Sequence, residues 1–117
     1  MSHPILSLFP VTAEIRDDRL FLAGQDTVEL VRRFGTPLYV FDEATLRQQC
    51  AAFRDEFGQR YSRSRVIYAA KAYLGRGLAR LLSEEGLGMD VVSGGELSIA
   101  HSAGFPMERV YFHGNNK

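Results

Sequence analysis

From residue 65 onward, the apolar positions alternate between short continuous runs and longer stretches with helical spacing. The run "RVIYAAKA" (65–72) reads as a buried strand. It is followed by "YLGRGLARLLSEEG", where Leu74, Leu78, Leu81 and Leu82 share a helical face and Gly86 is placed to end the helix. A second strand, "LGMDVVS", leads into the helix "GGELSIAHSAG", and a third, "RVYFHG", comes after the turn "GFPMER". This rhythm of strand and helix predicts βαβ units on a parallel sheet, either doubly wound or part of a (β/α)8 barrel. No GxGxxG follows any of these strands, which weighs against a dinucleotide site. The glycines of "SGGE" have a local explanation: Ser93 as N-cap, with Glu96 three residues on, makes a capping box.

The preceding residues have a different texture. "VTAEIRDDRLFLAG" places two short apolar runs around the polar turn "RDDR", which predicts a hairpin or a pair of short strands. "QDTVELVRRFGT" predicts a short helix capped by Asp26 or Thr27, apolar along Val28, Leu30, Val31 and Phe34, and stopped by Gly35 and Pro37. "PLYVFD" predicts a strand ending at Asp42, which in turn caps a helix through "EATLRQQCAAFRDEF". In that helix Leu46, Cys50, Phe53 and Phe57 form one stripe, so Cys50 reads as a core residue rather than a reactive thiol.

Composition narrows the function classes. A 117-residue chain with 45% hydrophobic residues is an ordinary globular sequence. Lys plus Arg and Asp plus Glu are 14 each, so no net field draws nucleic acid or an anionic membrane, and a small-molecule partner is expected. The single cysteine excludes an internal disulfide and fits a reducing, cytoplasmic setting. "PILSLFPV" is short, lacks a basic leader and soon meets Glu14, Arg16, Asp17 and Asp18, so neither an export signal nor a membrane span is expected. A (β/α)8 barrel needs about 250 residues and eight strands, whereas three strands are legible before Lys117. The barrel reading therefore implies a truncated architecture, a fragment; a small α/β domain with an open sheet edge is the alternative.

One residue stands out. Strand alternation puts Ile67, Ala69 and Lys71 on one side, and Val66, Tyr68, Ala70 and Ala72 on the other. If the first set faces a barrel interior, Lys71 lies at the C-terminal end of the strand, where barrel enzymes place their chemistry, with Ala69 leaving space below it. A desolvated lysine has a lowered pKa and is an uncharged amine suited to forming a Schiff base with a carbonyl. A strand-end lysine can equally reach water or pair with a carboxylate.

The segments "YAAKA", "EEGLGMDVVSGGEL" and "AGFPMERVYFHGNNK" resemble the N-terminal half of the barrel in the fold-type III, pyridoxal-phosphate-dependent decarboxylases, whose barrels are alanine racemase-like. The resemblance runs over residues 24–117. "SGGEL" and "FHGNNK" are its most specific parts and are most similar to the branch acting on diaminopimelate. "YAxK" is shared with ornithine and arginine decarboxylases and, more loosely, with alanine racemases.

The resemblance implies that residues 35–117 are the first part of a pyridoxal-phosphate-binding (β/α)8 barrel, preceded by a segment, residues 1–34, that contributes to a β-sandwich domain. It further implies pyridoxal 5'-phosphate held by Lys71 and contacted by Ala69, Asp90 and His113, with Lys71 and Asp90 as the catalytic pair. Glu96 matches an active-site acidic position in related decarboxylases, and Asn115 falls with His113 at the barrel mouth. Each has a plainer reading: Asp90 as a strand-end carboxylate, Glu96 as the capping partner, His113 as a locally satisfied imidazole. His101 falls on a helix, and neither it nor His3 has a partner in this reading.

The implied activity is decarboxylation of an amino acid, meso-2,6-diaminopimelate, to L-lysine and carbon dioxide. A homodimer with shared active sites is implied, with no nucleic acid and no membrane. The family places later in its chain the histidine that stacks on the cofactor ring, the glycine-rich phosphate loop, the acid at the pyridine nitrogen and a cysteine supplied across the dimer. Residues 1–117 alone are thus expected to be inactive. Three alternatives remain: a related decarboxylase acting on ornithine, arginine or carboxynorspermidine; a non-catalytic pyridoxal-phosphate-binding barrel protein; or a structural α/β domain in which Lys71 is unmodified.

Overall fold

A computed structural model describes residues 5–114. The chain forms two compact units, Met1–Gln49 and Cys50–Lys117.

The first unit is built on the expected polar turn. Strand β1 (Glu14–Arg16) pairs antiparallel with β2 (Arg19–Leu22), and Asp17 and Asp18 between them both have positive φ, 48° and 58°. Positive φ at both central residues marks the type I′ turn, whose twist matches that of the flanking strands. The device recurs at Ala23 and Gly24 (φ 49° and 74°), which turn β2 back onto a third short strand that the sequence reading did not separate, β3 (Gln25–Asp26). Helix α1 (Thr27–Phe34) follows, and the choice left open for its cap falls on Asp26, whose carboxylate accepts from Val28 N at 2.8 Å. A hydrogen bond from Arg19, 2.7 Å away, holds the Asp26 carboxyl below its ordinary range. Gly35, at φ 80°, ends the helix.

The predicted strand "PLYVFD" does not form. Among the described residues, 37–42 join neither sheet, and Leu38, Tyr39, Val40 and Phe41 are all exposed. An extended segment becomes a strand only when a neighbour takes up its N–H and C=O groups, and apolar composition does not supply that neighbour.

Asp42 is the cap that the sequence predicts for α2 (Glu43–Arg60), and it is buried. Its Oδ1 accepts from Ala44 N at 3.0 Å, and its Oδ2 accepts from the Thr45 hydroxyl at 3.0 Å and from the Thr12 hydroxyl. Thr12 Oγ1 in turn accepts from Ala23 N (2.9 Å), and Thr45 Oγ1 from Val11 N (2.9 Å), so one carboxylate ties the hairpin turn to the start of the helix. The Thr12 hydrogen bond, helped by Thr45 and the Ala44 amide, pulls the Asp42 carboxyl below its ordinary value although burial acts the other way. A carboxyl depressed by folding stabilises fully above its unfolded pKa of about 3.9 and loses that contribution as pH falls through the lower folded value. Asp42→Ala is therefore expected to cost about 1–2 kcal/mol at neutral pH. In urea titrations of the two proteins followed by circular dichroism, this difference should shrink below about pH 3; a difference independent of pH would contradict the assignment.

Helix α2 begins in the first unit and ends in the second. Cys50 is buried and Leu46 half-buried, but Phe53 and Phe57, expected in the same core stripe, are 55% and 56% exposed. The stripe is thus covered only over its first half among the described residues.

The second unit carries the predicted parallel sheet, with β4 (Ile67–Ala69), β5 (Gly88–Val91) and β6 (Val110–Phe112) in the order β4-β5-β6, joined through α3 (Arg76–Glu84) and α4 (Gly94–Ser102). Both helices end alike. After α3, Gly86 (φ 77°) lets Gly86 N bond Ser83 O and Leu87 N bond Leu82 O, and Leu87 is buried. After α4, Gly104 (φ 74°) does the same, with Phe105 N on Ala100 O and Phe105 buried. This pairing of a left-handed glycine with a buried apolar residue is the Schellman motif.

Register divides the sheet into two faces. Tyr68, Met89 and Val110 pair across it, as do Val91 and Phe112, and Met89 and Val91 are fully buried with Ala79, Leu82 and Ala100 of the helices in the core. Ile67, Ala69, Asp90 and Tyr111 lie on the opposite face, where Ile67 and Tyr111 are 42% and 45% exposed. Arg109 fastens the entry to β6: Nη2 donates to Ser83 Oγ (3.2 Å), Nη1 reaches Leu87 O (3.4 Å), and the guanidinium lies 5.4 Å from the Phe105 ring centre.

Candidate functional site

The open face of this sheet ends, on the C-terminal side of its strands, in the residues singled out from sequence. Two expectations for Lys71 are corrected. The strand stops at Ala69, and Lys71 sits in a turn of 3-10 helix, Ala70–Ala72, so strand alternation does not set its direction. Nor is it desolvated, since it is exposed. The run "RVIYAAKA" overshot because alanines fit a turn as readily as a strand, and a parallel strand needs only the few residues that its neighbour pairs.

Ala69 and Asp90 are register partners on β4 and β5, and Asp90 is paired on its other side with Tyr111 of β6. The carboxylate therefore stands at the centre of the open face, with Lys71 two residues beyond its partner. Its side chain keeps 31% of its exposure. His113 follows β6, its N–H bonding Val91 O at 2.8 Å, and its Nδ1 lies 3.8 Å from Asp90 Oδ2. The structure thus gathers Ala69, Asp90 and His113 at one end of the sheet, next to the turn of Lys71. A primary amine, a carboxylate and an imidazole in this arrangement can bind a carbonyl compound covalently, stabilise positive charge on the nitrogen and pass a proton.

The loop after β5 is fixed from both sides. Ser93 Oγ accepts from Glu96 N at 3.2 Å, as the capping box predicts, while the Glu96 carboxylate reaches back to Val92 N (2.7 Å), one residue earlier than the standard box. A Cβ on Gly114 would come within 3.1 Å of Val92 O, so the turn after His113 requires glycine. His101 is exposed on α4. Asn115 and His3 lie outside the described residues.

Two tyrosines escaped the sequence reading. Tyr111 shares the open face with Asp90, and its hydroxyl accepts from Arg65 Nη1 at 3.2 Å. The alternation Val110, Tyr111, Phe112 could have found it once the register was known. Tyr68 places its hydroxyl on Tyr73 O (2.8 Å), a contact across a turn that no sequence period announces. Among the described residues there is no cluster of His, Cys, Asp or Glu fit to hold a metal ion, and no helix is long and apolar enough to cross a membrane.

Comparison with known proteins covers this site. Residues 43–117 match the family described as pyridoxal-dependent decarboxylase, pyridoxal binding domain. The diaminopimelate decarboxylase of Bacillus methanolicus is 47% identical over 98 residues, which are 84% of this chain and 23% of that protein. The Mycobacterium bovis diaminopimelate decarboxylase is 48% identical over 96 residues, 82% of this chain and 21% of the relative. Among solved structures, diaminopimelate decarboxylase from M. jannaschii in complex with L-lysine superposes with a TM-score of 0.75 at 38% identity, over 90% of this chain and 25% of that one. The chain spans about a quarter of the length of these relatives.

Proposed function

The chain belongs to the pyridoxal-dependent decarboxylases, whose pyridoxal binding domain it carries over residues 43–117, and from that premise we propose that it serves a pyridoxal-phosphate-dependent decarboxylation of meso-2,6-diaminopimelate to L-lysine and carbon dioxide. The observation that carries the proposal is the register of Ala69 with Asp90, which sets a carboxylate beside the turn of Lys71 within the matched residues. The relatives' names supply the substrate. In this reading residues 35–117 are the first part of a (β/α)8 barrel and residues 1–34 belong with a β-sandwich domain. The working assembly is a cytoplasmic homodimer. The one-sided burial of the sheet supports the barrel, because its uncovered face is the one that a barrel turns inward.

The donor set fits pyridoxal phosphate. Lys71 is an exposed primary amine able to hold the aldehyde carbon, and the open face offers Ile67, Ala69 and Tyr111 as apolar surface for an aromatic ring. When bound, the cofactor supplies an electron sink for the carbanion left by the departing α-carboxylate. The residues of this chain do the rest. Lys71 would hold the cofactor through its amine, which lies in the turn beyond β4. Asp90 stabilises positive charge on the nitrogen at that position. His113, whose Nδ1 lies 3.8 Å from Asp90 Oδ2, would border the cofactor beside that carboxylate. Asp90 and Ala69 also set the width of the slot: a larger side chain at Ala69 would stand beside the carboxylate.

The proposal is tested by grafting. With residues 1–117 replacing the matching segment of the Bacillus methanolicus relative, carbon dioxide release from carboxyl-labelled meso-diaminopimelate is expected to persist. Asp90→Ala in the graft should lower kcat by about 100-fold or more, the scale of a lost positioned charge or proton-transfer group. Release from ornithine or arginine instead of diaminopimelate would replace the substrate, and no release from a folded graft would remove the function.

A further inference from the structure

Lys71 sits in a turn that is held at both ends. Ala70, on its N-terminal side, is 2% exposed, and the Ala70–Ala72 turn lies near β5. On its C-terminal side the backbone reopens to extended geometry at Tyr73 (φ −173°, ψ 140°), and the carbonyl of Tyr73 accepts the Tyr68 hydroxyl at 2.8 Å. The bond joins the last but one residue of β4 to the residue after the turn, so Ala69 to Ala72 form a loop closed by one side chain. Tyr68 itself is fixed, because it lies on the sheet face shared with the buried Met89, its register partner. Tyr73 folds back over the start of α3, its hydroxyl 2.7 Å from where a Gly75 Cβ would be.

We infer that Tyr68 is a positioning residue for Lys71: its hydroxyl, bonded to the Tyr73 carbonyl, closes the turn and presents the amine toward the end of the sheet where Asp90 stands. The inference deepens the proposed function and rests on it for the identity of the carbonyl partner, pyridoxal phosphate. The closing itself rests on the geometry alone. Burial pushes the Tyr68 hydroxyl above its ordinary pKa, so it remains a donor throughout the range in which such an enzyme works. An exposed lysine on an open loop samples many directions, and a closed loop restricts them, which raises the fraction of time the amine spends where a carbonyl can be captured.

Two unnatural residues of nearly equal size separate positioning from packing. At position 68, 4-aminophenylalanine keeps a donor, whereas 4-methylphenylalanine fills the same space without one. In the 117-residue chain, two readouts apply: amide hydrogen exchange at Ala72, Tyr73 and Leu74, and the yield of pyridoxyl label on Lys71 after incubation with pyridoxal phosphate and borohydride reduction. With the methyl variant, exchange at these amides is expected to quicken about fivefold and the initial rate of labelling to fall by a similar factor, the size of one net hydrogen bond. The amino variant should restore both, while exchange in α3 stays within error in all three proteins. Identical exchange in the methyl and amino variants would overturn the inference. Faster exchange with unchanged labelling would also overturn it, because the turn would then be closed without positioning the amine. If the unmodified chain takes no label at Lys71, the pyridoxal reading fails, and the exchange comparison still decides whether Tyr68 closes the turn.

Discussion

Incubated with pyridoxal phosphate and reduced with borohydride, the chain is expected to carry the pyridoxyl group on Lys71, saturably, and the Lys71→Ala variant to lose all saturable labelling. The sequence makes this result easy to read, since Lys71 and Lys117 are its two lysines and the α-amino group is the remaining competitor. All three are amines that react with an aldehyde, so labelling as such decides nothing; the preference does. Lys71 lies two residues beyond Ala69, the register partner of Asp90, and in the proposed site that carboxylate would stabilise positive charge on a nitrogen held there. An exposed ion pair contributes about 0.2–1 kcal/mol. The closed turn adds about as much again through one net hydrogen bond. Together these favour Lys71 over Lys117 by about tenfold, the factor that corresponds to 1.4 kcal/mol. Peptide mass spectrometry of the reduced chain gives the ratio directly. Asp90→Asn should reduce it about two- to fivefold without unfolding the sheet, because the amide keeps the shape and removes the charge. Equal labelling of Lys71 and Lys117 would sink the assignment of Lys71 as cofactor anchor, and with it the reason for reading the open face as a site.

Much of this was legible from sequence because short-range rules governed it. The parallel order of β4, β5 and β6 followed from the spacing of strand and helix. The hairpin at "RDDR", the caps at Asp26, Asp42 and Ser93, and the ends of α3 and α4 at glycine followed from what each backbone turn demands. What failed depended on partners that a local pattern cannot name. Residues 37–42 are apolar enough for a strand yet have no ladder, and Phe53 and Phe57 keep the spacing of a core stripe yet stay exposed. Lys71 was placed correctly near the sheet end and wrongly within the strand, because alternation was carried past the last paired residue. The candidate residues Asp90 and His113 could be named one by one, but their 3.8 Å approach arises from register between strands about twenty residues apart in sequence. The Tyr68 hydroxyl carried no signal at all, since a tyrosine in a strand reads as packing until its partner carbonyl is seen.

The two faces of the sheet predict opposite responses to the same kind of truncation. Met89→Ala is expected to destabilise the chain by about 2–5 kcal/mol, because Met89 is wholly buried and the backbone of a paired central strand cannot collapse into the space it leaves. Against a typical total of about 5–15 kcal/mol, the middle of that range lowers the urea midpoint by about a third. Ile67→Ala, one strand away on the opposite face, is expected to cost under about 1 kcal/mol, since Ile67 is already 42% exposed and its removal opens no cavity. The contrast makes the barrel proposal measurable. If the Ile67 face is the inward face of a barrel, Ile67→Ala in the graft with the Bacillus methanolicus relative should become a core substitution and rise toward the Met89 value, whereas Met89→Ala should cost about the same in both contexts. An Ile67→Ala cost that stays under about 1 kcal/mol in the graft would mean that this face is not enclosed. Lys71 and Asp90 would then border solvent rather than the mouth of a barrel, a setting in which charge stabilisation by Asp90 is too weak to support decarboxylation.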